Sequence, residues 1–298
     1  MSGIIHGCSG LLQFNHAEIQ RKIVHRKLFG LDELQNYLFR FCKAILTADA
    51  SMLSYFSLYD LAPSVLLYGP PNTGKTSLCY FLFDQIKQEV TNEINFYTVN
   101  IGRMLDPALG QSSRNLEQIF QELRKICLDG TSVFLLLDEL DTFCMSRSRA
   151  QEHDAVRRAM ATLMLELDQL NSATNQRFLL FGITNVPQLL DTAVVRRFSL
   201  KRSVDSSLSR EEFKLYVDYL NQPLKVTLTE KEADKLYAIY QQREFTVGDI
   251  KSLYKDLLVD KLCADSSIYM QERLVEVFEK GFSTHQHLKD VFKELSND

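Results

Sequence analysis

At 298 residues, with 45% hydrophobic and 24% charged positions, the chain has the composition of an ordinary globular protein, long enough for one large domain or two modest ones. Its net charge of −4 excludes a global positive field that would draw it to nucleic acid or to an anionic membrane. Six cysteines scattered without a C-x-x-C pair argue against a zinc site and a disulfide framework, and no apolar run approaches the length of a membrane span, so a cytoplasmic location is expected.

Residues 1–25 are weakly patterned and are expected to form an irregular N-terminal arm. Asp32 is a candidate N-cap, after which Leu34, Leu38, Phe41, Ala44 and Ile45 recur at helical spacing. Asp49–Pro63 reads as a connector. Val65–Tyr68 is a short apolar run of the kind that forms a fully buried parallel strand. Gly69-Pro70-Pro71-Asn72-Thr73-Gly74-Lys75-Thr76 then fits the phosphate-binding loop G-x-x-x-x-G-K-[ST], with Ser77 opening a helix. Such a loop points successive backbone N–H groups at a triphosphate, so glycine is needed where the chain approaches closely or takes positive φ. Asn72 stands where glycine is frequent, and asparagine is among the few residues that tolerate the left-handed region.

Downstream, apolar strands Asn95–Val99, Val133–Leu137, Phe178–Ile183 and Ser199–Val204 alternate with helical patterns over Ser77–Val90, from Ser112 or Ser113, and over Val156–Leu170. That alternation predicts right-handed βαβ crossovers: an α/β P-loop NTPase with a five-stranded parallel sheet over residues 26–205. After Asp205 the pattern turns helical. Ser209-x-x-Glu212 and Thr229-x-x-Glu232 have the form of capping boxes, and an all-helical lid domain is expected over 206–298.

Asp138 and Glu139 end the third strand, where paired acids are costly unless they act on a ligand at the sheet's carboxyl edge. Lys75 can meet the β- and γ-phosphates, Thr76 and Asp138 can support Mg²⁺, and Glu139 can polarise the attacking water. Asn185 closes the fourth strand as an amide able to bond γ-phosphate and water, or as a strand-end turn residue. Arg196 and Arg197 are either transition-state stabilisers or a solvated helix end, and spacing does not separate those readings.

From about Lys27 to Asp256 the chain resembles the AAA family of the AAA+ ATPases. The likeness rests on Gly69–Thr76, the acids after Val133–Leu137, Leu165-Glu-Leu-Asp168, Ile183-Thr-Asn185 and Leu190-Asp-Thr-Ala-Val-Val-Arg-Arg-Phe198, in that order. The resemblance implies an ATPase using ATP and Mg²⁺, assembled as a ring, usually a hexamer, that remodels a protein client. It implies that Lys75, Thr76 and Asp138 bind nucleotide and metal, that Glu139 is the catalytic base and Asn185 a sensor, and that Arg196 and Arg197 are fingers reaching a neighbour's ATP. The adenine is expected near Leu31 and Gly248.

Lys75-Thr-Ser-Leu-Cys79 and Leu167-Asp-Gln-Leu170 resemble ATPases that remodel HORMA-domain proteins, whose compact bacterial members act in antiphage signalling. Arg196-Arg-Phe198 resembles the spastin, katanin and ESCRT-disassembly group instead. Three features depart from the family pattern. Ala108 stands where the channel loop Leu105–Gly110 usually carries an aromatic residue; Lys251 follows Thr246-Val-Gly-Asp-Ile250, either touching phosphate or facing solvent; and the usual large substrate-recruiting domain is not expected in the residues before Ser64. Arg147, Arg149, His153, Arg157 and Arg158 surround a second loop able to grip an acidic segment. The alternative function is a nucleic-acid loader or initiator ATPase, against which the mild acidity and the lack of a basic block count; neither a nucleic-acid nor a membrane partner is expected.

Overall fold

The computed structural model describes residues 10–90, 93–101, 111–141, 150–172, 177–205, 207–263, 270–284 and 286–289. They fall into two compact units: one built on the chain up to Lys27, on Glu33–Gly69 and on Lys75–Val204, the other on Leu28–Asp32, Pro70–Gly74 and the chain from Asp205 on.

The first unit is organised by a six-stranded sheet of β1 (Leu11–Phe14), β2 (Ser64–Tyr68), β3 (Ile94–Asn100), β4 (Ser132–Asp138), β5 (Phe178–Thr184) and β6 (Leu200–Ser203), in the order β1-β3-β4-β5-β2-β6. The strands from β3 to β6 pair in parallel, which gives the expected five-stranded parallel sheet. A sixth strand was not foreseen. β1 pairs antiparallel with β3, Leu11 opposite Val99 and Phe14 opposite Phe96. The expectation of an irregular arm over 1–25 is therefore corrected for the described part: residues 11–14 close one sheet edge, and Asn15 then caps α1 (His16–Ile23) in a capping box with Glu18. Four residues are too few to display alternation, and their partner strand lies far along the chain.

The connector before β2 likewise holds a helix, α3 (Ala50–Leu58), after the expected α2 (Asp32–Leu46); the Asp49 carboxylate caps it by accepting from Met52 N at 2.8 Å. The parallel crossovers carry α4 (Lys75–Glu89), α5 (Gln111–Leu128), α6 (Ala150–Ser172) and the short α7 (Thr192–Arg197).

Because a strand's side chains alternate, each face of β4 meets a different layer. Val133, Leu135 and Leu137 join a core with Ile119, Phe120 and Leu163 from α5 and α6. On the other face Phe134 stacks on Phe96 at 5.1 Å and on Phe181 at 4.7 Å between ring centroids, with Phe83 of α4 edge-on to it at 6.0 Å. Both faces are dry, as the near-continuous apolar run required.

The second unit is helical among its described residues: α8 (Arg210–Asn221), α9 (Glu230–Arg243), α10 (Val247–Cys263) and α11 (Met270–Lys280). Both capping boxes form, at Ser209–Glu212 and Thr229–Glu232. Its core gathers Phe213, Leu236, Tyr240, Leu253 and Phe278, with Phe29 stacked obliquely on Tyr216 at 4.7 Å. Among the described residues no helix is long and apolar enough to cross a membrane.

Phe134 is fully buried at the middle of the sheet. Phe134→Ala is expected to lower the stability of the first unit by about 3–5 kcal/mol through cavity formation, read as a drop in the urea midpoint at unchanged slope.

Candidate functional site

In the first unit, five parallel strands end at one edge, so the residues that leave them are brought together by strand direction alone. β2 sits between β5 and β6 and ends at Tyr68, opposite Thr184 and Ser203. Gly69 follows with φ 143°, and a Cβ there would lie 2.6 Å from the Val204 carbonyl oxygen, so the position admits no side chain. At the loop's far end Lys75 opens α4; the residue is 5% exposed and its ammonium donates to Gly69 O at 2.9 Å. Burial pushes that ammonium down to about 8, against the pull of Asp141 and Asp138 toward the charged form.

Asp138, the last residue of β4, accepts from Glu139 N at 3.0 Å and from Thr76 Oγ1 at 3.5 Å. Burial raises its carboxyl above the usual range, the Glu139 amide pulling the other way. A hydroxyl and a half-buried carboxylate converging beside a phosphate loop suit Mg²⁺, which takes few protein ligands and keeps water and phosphate oxygens. The described residues hold no cluster of three or more His, Cys, Asp or Glu that could hold a metal ion.

Glu139 adopts φ 60°, in the left-handed region that costs a non-glycine residue about 1–3 kcal/mol. Two bonds hold it there: its N–H on Asp138, and its carboxylate oxygen Oε2 accepting from Asn100 Nδ2 at 2.9 Å. Asn100 ends β3 directly opposite Asp138. Sequence reading missed it, although a polar residue closing an apolar strand beside the paired acids was the signal available. Asn185 lies half-buried just past β5, its N–H donating to Asp141 Oδ1 at 3.3 Å.

Residues 65–206 match the model of the ATPase family associated with various cellular activities (AAA). The matched span runs from β2 through β6 and takes in the phosphate loop, the paired acids and both arginines. It is 31% identical to spastin of Xenopus tropicalis over 198 residues, 65% of this chain and 30% of that protein. To an "AAA ATPase forming ring-shaped complexes" of Corynebacterium kroppenstedtii it is 30% identical over 191 residues, 61% of this chain and 33% of that one. The chain thus spans about a third of the length of these curated relatives. Among solved structures, a chain of the E. coli MS115-1 HORMA:CdnC:Trip13 complex superposes with a TM-score of 0.76 at 19% identity, over 93% of this chain and 96% of that one. The FIGL-1 AAA domain with ADP superposes at 0.60 and 20% identity, over 87% and 84%. At such identities the likeness is one of fold.

The middle of the phosphate loop, Pro70–Gly74, belongs to the second unit. Asn72 takes φ 64°, as the asparagine substitution anticipated, and Thr73 Oγ1 donates to Pro70 O at 3.0 Å. Gly248 N donates to Asn72 O at 3.0 Å, and a Cβ on Gly248 would sit 2.3 Å from the Asn72 Cβ. Gly248 is thus fixed by close approach to the loop, and Leu31 lies beside the same loop, 3.7 Å from where a Gly74 Cβ would be. Lys251 is exposed. Ala108, the loop Leu105–Gly110, Arg147, Arg149 and the His153 side chain lie outside the described residues; Arg157 and Arg158 are exposed.

The two arginines differ. Arg197 Nε donates to Asp168 Oδ1 of α6 at 2.8 Å, and its guanidinium donates again to Ala193 O at 3.0 Å. Arg196 is exposed and makes no hydrogen bond or ion pair among the described residues. Phe198, fully buried, anchors both: its ring fills the space left by Gly182, where a Cβ would lie 2.8 Å from it. Neither arginine stands at the phosphate edge. Ser199 bonds the opening of β2, its N–H donating to Ser64 Oγ at 3.1 Å and its Oγ accepting from Ala62 N at 2.7 Å. The length of β2, about 15 Å at ~3.3 Å per residue, separates that edge from Gly69.

The Lys75 shift sets a proton linkage. Between about pH 8 and its ordinary value near 10.5 the unfolded chain binds more protons at this group than the folded one, so stability of the nucleotide-free protein rises with pH there. Phosphates favour the ammonium, so nucleotide binding takes up a proton. Calorimetry in buffers of different ionisation enthalpy is expected to find about half a proton taken up near pH 8, almost none near pH 6.5, and affinity falling above pH 8.

Proposed function

We propose that this chain is an ATP-hydrolysing, self-assembling motor that remodels a folded protein client. The observation that carries the reading is the convergence of Lys75, Thr76, Asp138 and the Asn100-held Glu139 at one sheet edge, a set without purpose except around a triphosphate and its attacking water. Lys75 would leave Gly69 O for the β- and γ-phosphates, which restores a buried ammonium to a strong anionic partner. The ion held by Thr76 and Asp138 supplies charge neutralisation to the phosphates when bound.

Glu139, freed from Asn100, would accept a proton from water as that water attacks the γ-phosphorus, the pair of electrons leaving to the ADP oxygen. Asn185 would bond the same water or the γ-phosphate. Completing the charge stabilisation falls to Arg196 of another copy, because on its own copy it stands a strand's length away.

Self-assembly in a ring is supported by the Corynebacterium relatives named for ring-shaped complexes, and a protein client by the Trip13 complex with its HORMA partner. A HORMA-domain protein is accordingly the client class we assign, and signalling in antiphage defence the setting that class suits.

Glu139→Gln removes the base while keeping shape and the hydrogen bond to a phosphate-bound water. It is expected to bind ATP within about threefold of the wild type and to lose about 10²–10⁴ in phosphate release, while holding a co-expressed HORMA-domain protein in an ATP-dependent complex. Phosphate release at the wild-type rate would remove Glu139 from its role; ATP binding and turnover with no hold on HORMA proteins would leave the ATPase and discard the client.

A further inference from the structure

α1 rides along α4, and its contacts step toward the phosphate end. His16 Nε2 and Asp84 Oδ1 meet at 2.6 Å, and Gln20 Nε2 donates to the same oxygen at 3.3 Å. Lys22 then places its ammonium 5.5 Å from the Tyr80 ring centroid. Past the end of α1 the chain turns, with Arg26 N on Ile23 O, and Arg26 Nη1 donates to Ser77 Oγ at 3.0 Å. Positions 77, 80 and 84 share one face of α4, so residues 16–26 run antiparallel to that helix and finish at its first turn.

That last contact is misplaced for a purely structural tie. The opening turn of a helix carries N–H groups without intrahelical partners and the positive end of the macrodipole, which favours anions and disfavours cations. Lys75 already brings an ammonium to this turn. Arg26 adds a second cation, exposed and resting on a neutral hydroxyl, and among the described residues its side chain makes no other hydrogen bond or ion pair. Its charge acts on the same turns as Asp138: burial pushes the Tyr80 hydroxyl up to about 12, Asp138 adds to the rise and Arg26 opposes it. A guanidinium at such a place has a fork of donors that suits phosphate oxygens far better than one hydroxyl.

We infer that Arg26 is a further phosphate-binding residue of this site and takes the α-phosphate of the nucleotide. Lys75 and Thr76 are committed to the β- and γ-phosphates and to the cation, and the Ser77 contact carries the guanidinium one residue beyond them. The group left for it is the α-phosphate, which ATP and ADP share. This rests on the nucleotide reading of the phosphate loop and adds to it a residue from outside the span 65–206 that matches the family model. Coupling of this kind is reciprocal. A nucleotide held by Arg26 also holds residues 16–26 on α4, and loosening that segment weakens nucleotide binding by the same factor.

Calorimetric titration of the full chain with ADP and with non-hydrolysable AMP-PNP, both with Mg²⁺, compares the wild type with Arg26→Ala and Arg26→Lys. Arg26→Ala is expected to weaken both nucleotides by the same factor, about tenfold, and Arg26→Lys by about threefold, since the charge is kept and the fork is lost. In steady-state hydrolysis the Arg26→Ala loss is expected in KM, with kcat changed less than twofold. Hydrogen exchange supplies a second readout. Saturating ADP is expected to slow the amides of residues 16–26 at least threefold in the wild type and to leave them unchanged in Arg26→Ala, while the two nucleotide-free proteins exchange alike.

Wild-type ADP affinity in Arg26→Ala overturns the inference. So does a loss confined to AMP-PNP, which places the guanidinium on the γ-phosphate. Faster exchange of residues 16–26 in nucleotide-free Arg26→Ala, with a lowered unfolding midpoint, makes Arg26 a structural tie and also overturns it. If the wild type binds neither nucleotide, the nucleotide reading itself fails and Arg26 falls with it, an outcome distinct from the other three.

Discussion

The direction of the strands governs this molecule. A parallel sheet buried on both faces has two chemically different edges, because every chain segment enters at one and leaves at the other. Segments leaving β2, β4 and β5 carry the phosphate loop, the acids and Asn185; the segment entering β6 carries the two arginines. No local preference of these residues puts them on opposite sides. Connectivity does, and it leaves Arg196 at the sheet edge away from its own copy's phosphate loop.

The phosphate edge is electrostatically unfinished. A buried ammonium on a carbonyl and a half-buried carboxylate on a hydroxyl are both desolvated, and desolvation is the largest cause moving each toward its neutral form. In the proposed reaction a triphosphate with its cation would answer both deficits at once, the anion restoring the lysine and the cation the aspartate. Glu139 shows the same economy in its backbone, held in a left-handed conformation by its neighbour's carboxylate and kept from free rotation by Asn100.

Much of this was legible in the sequence where a motif is local. Gly69–Thr76 and Asp138-Glu139 announce their own geometry, because a phosphate loop or a charged strand end makes physical sense within a few residues. What stayed hidden depends on distant partners. β1 is four residues whose strand character exists only against β3; α3 lacks the polar–apolar periodicity that signals a helix packed on a core; and Asn100 gains meaning only once the register sets it opposite Asp138. Gly248 could be suspected from resemblance, but the reason for a glycine there is a backbone approach of 3.0 Å to Asn72 that no spacing rule encodes.

Arg196 and Arg197 illustrate the remaining limit. They are adjacent and chemically identical, and a sequence reading must treat them alike. Phe198, wedged against Gly182, fixes the end of α7 so that one arginine turns back onto Asp168 and the other outward. The inward one cannot leave without breaking a half-exposed ion pair and a carbonyl bond, a modest cost that a transferring phosphate's charge could exceed. The outward one has nothing to surrender. On the proposed assembly a neighbour's nucleotide would therefore meet Arg196 first, with Arg197 free to follow only once its bond to Asp168 breaks.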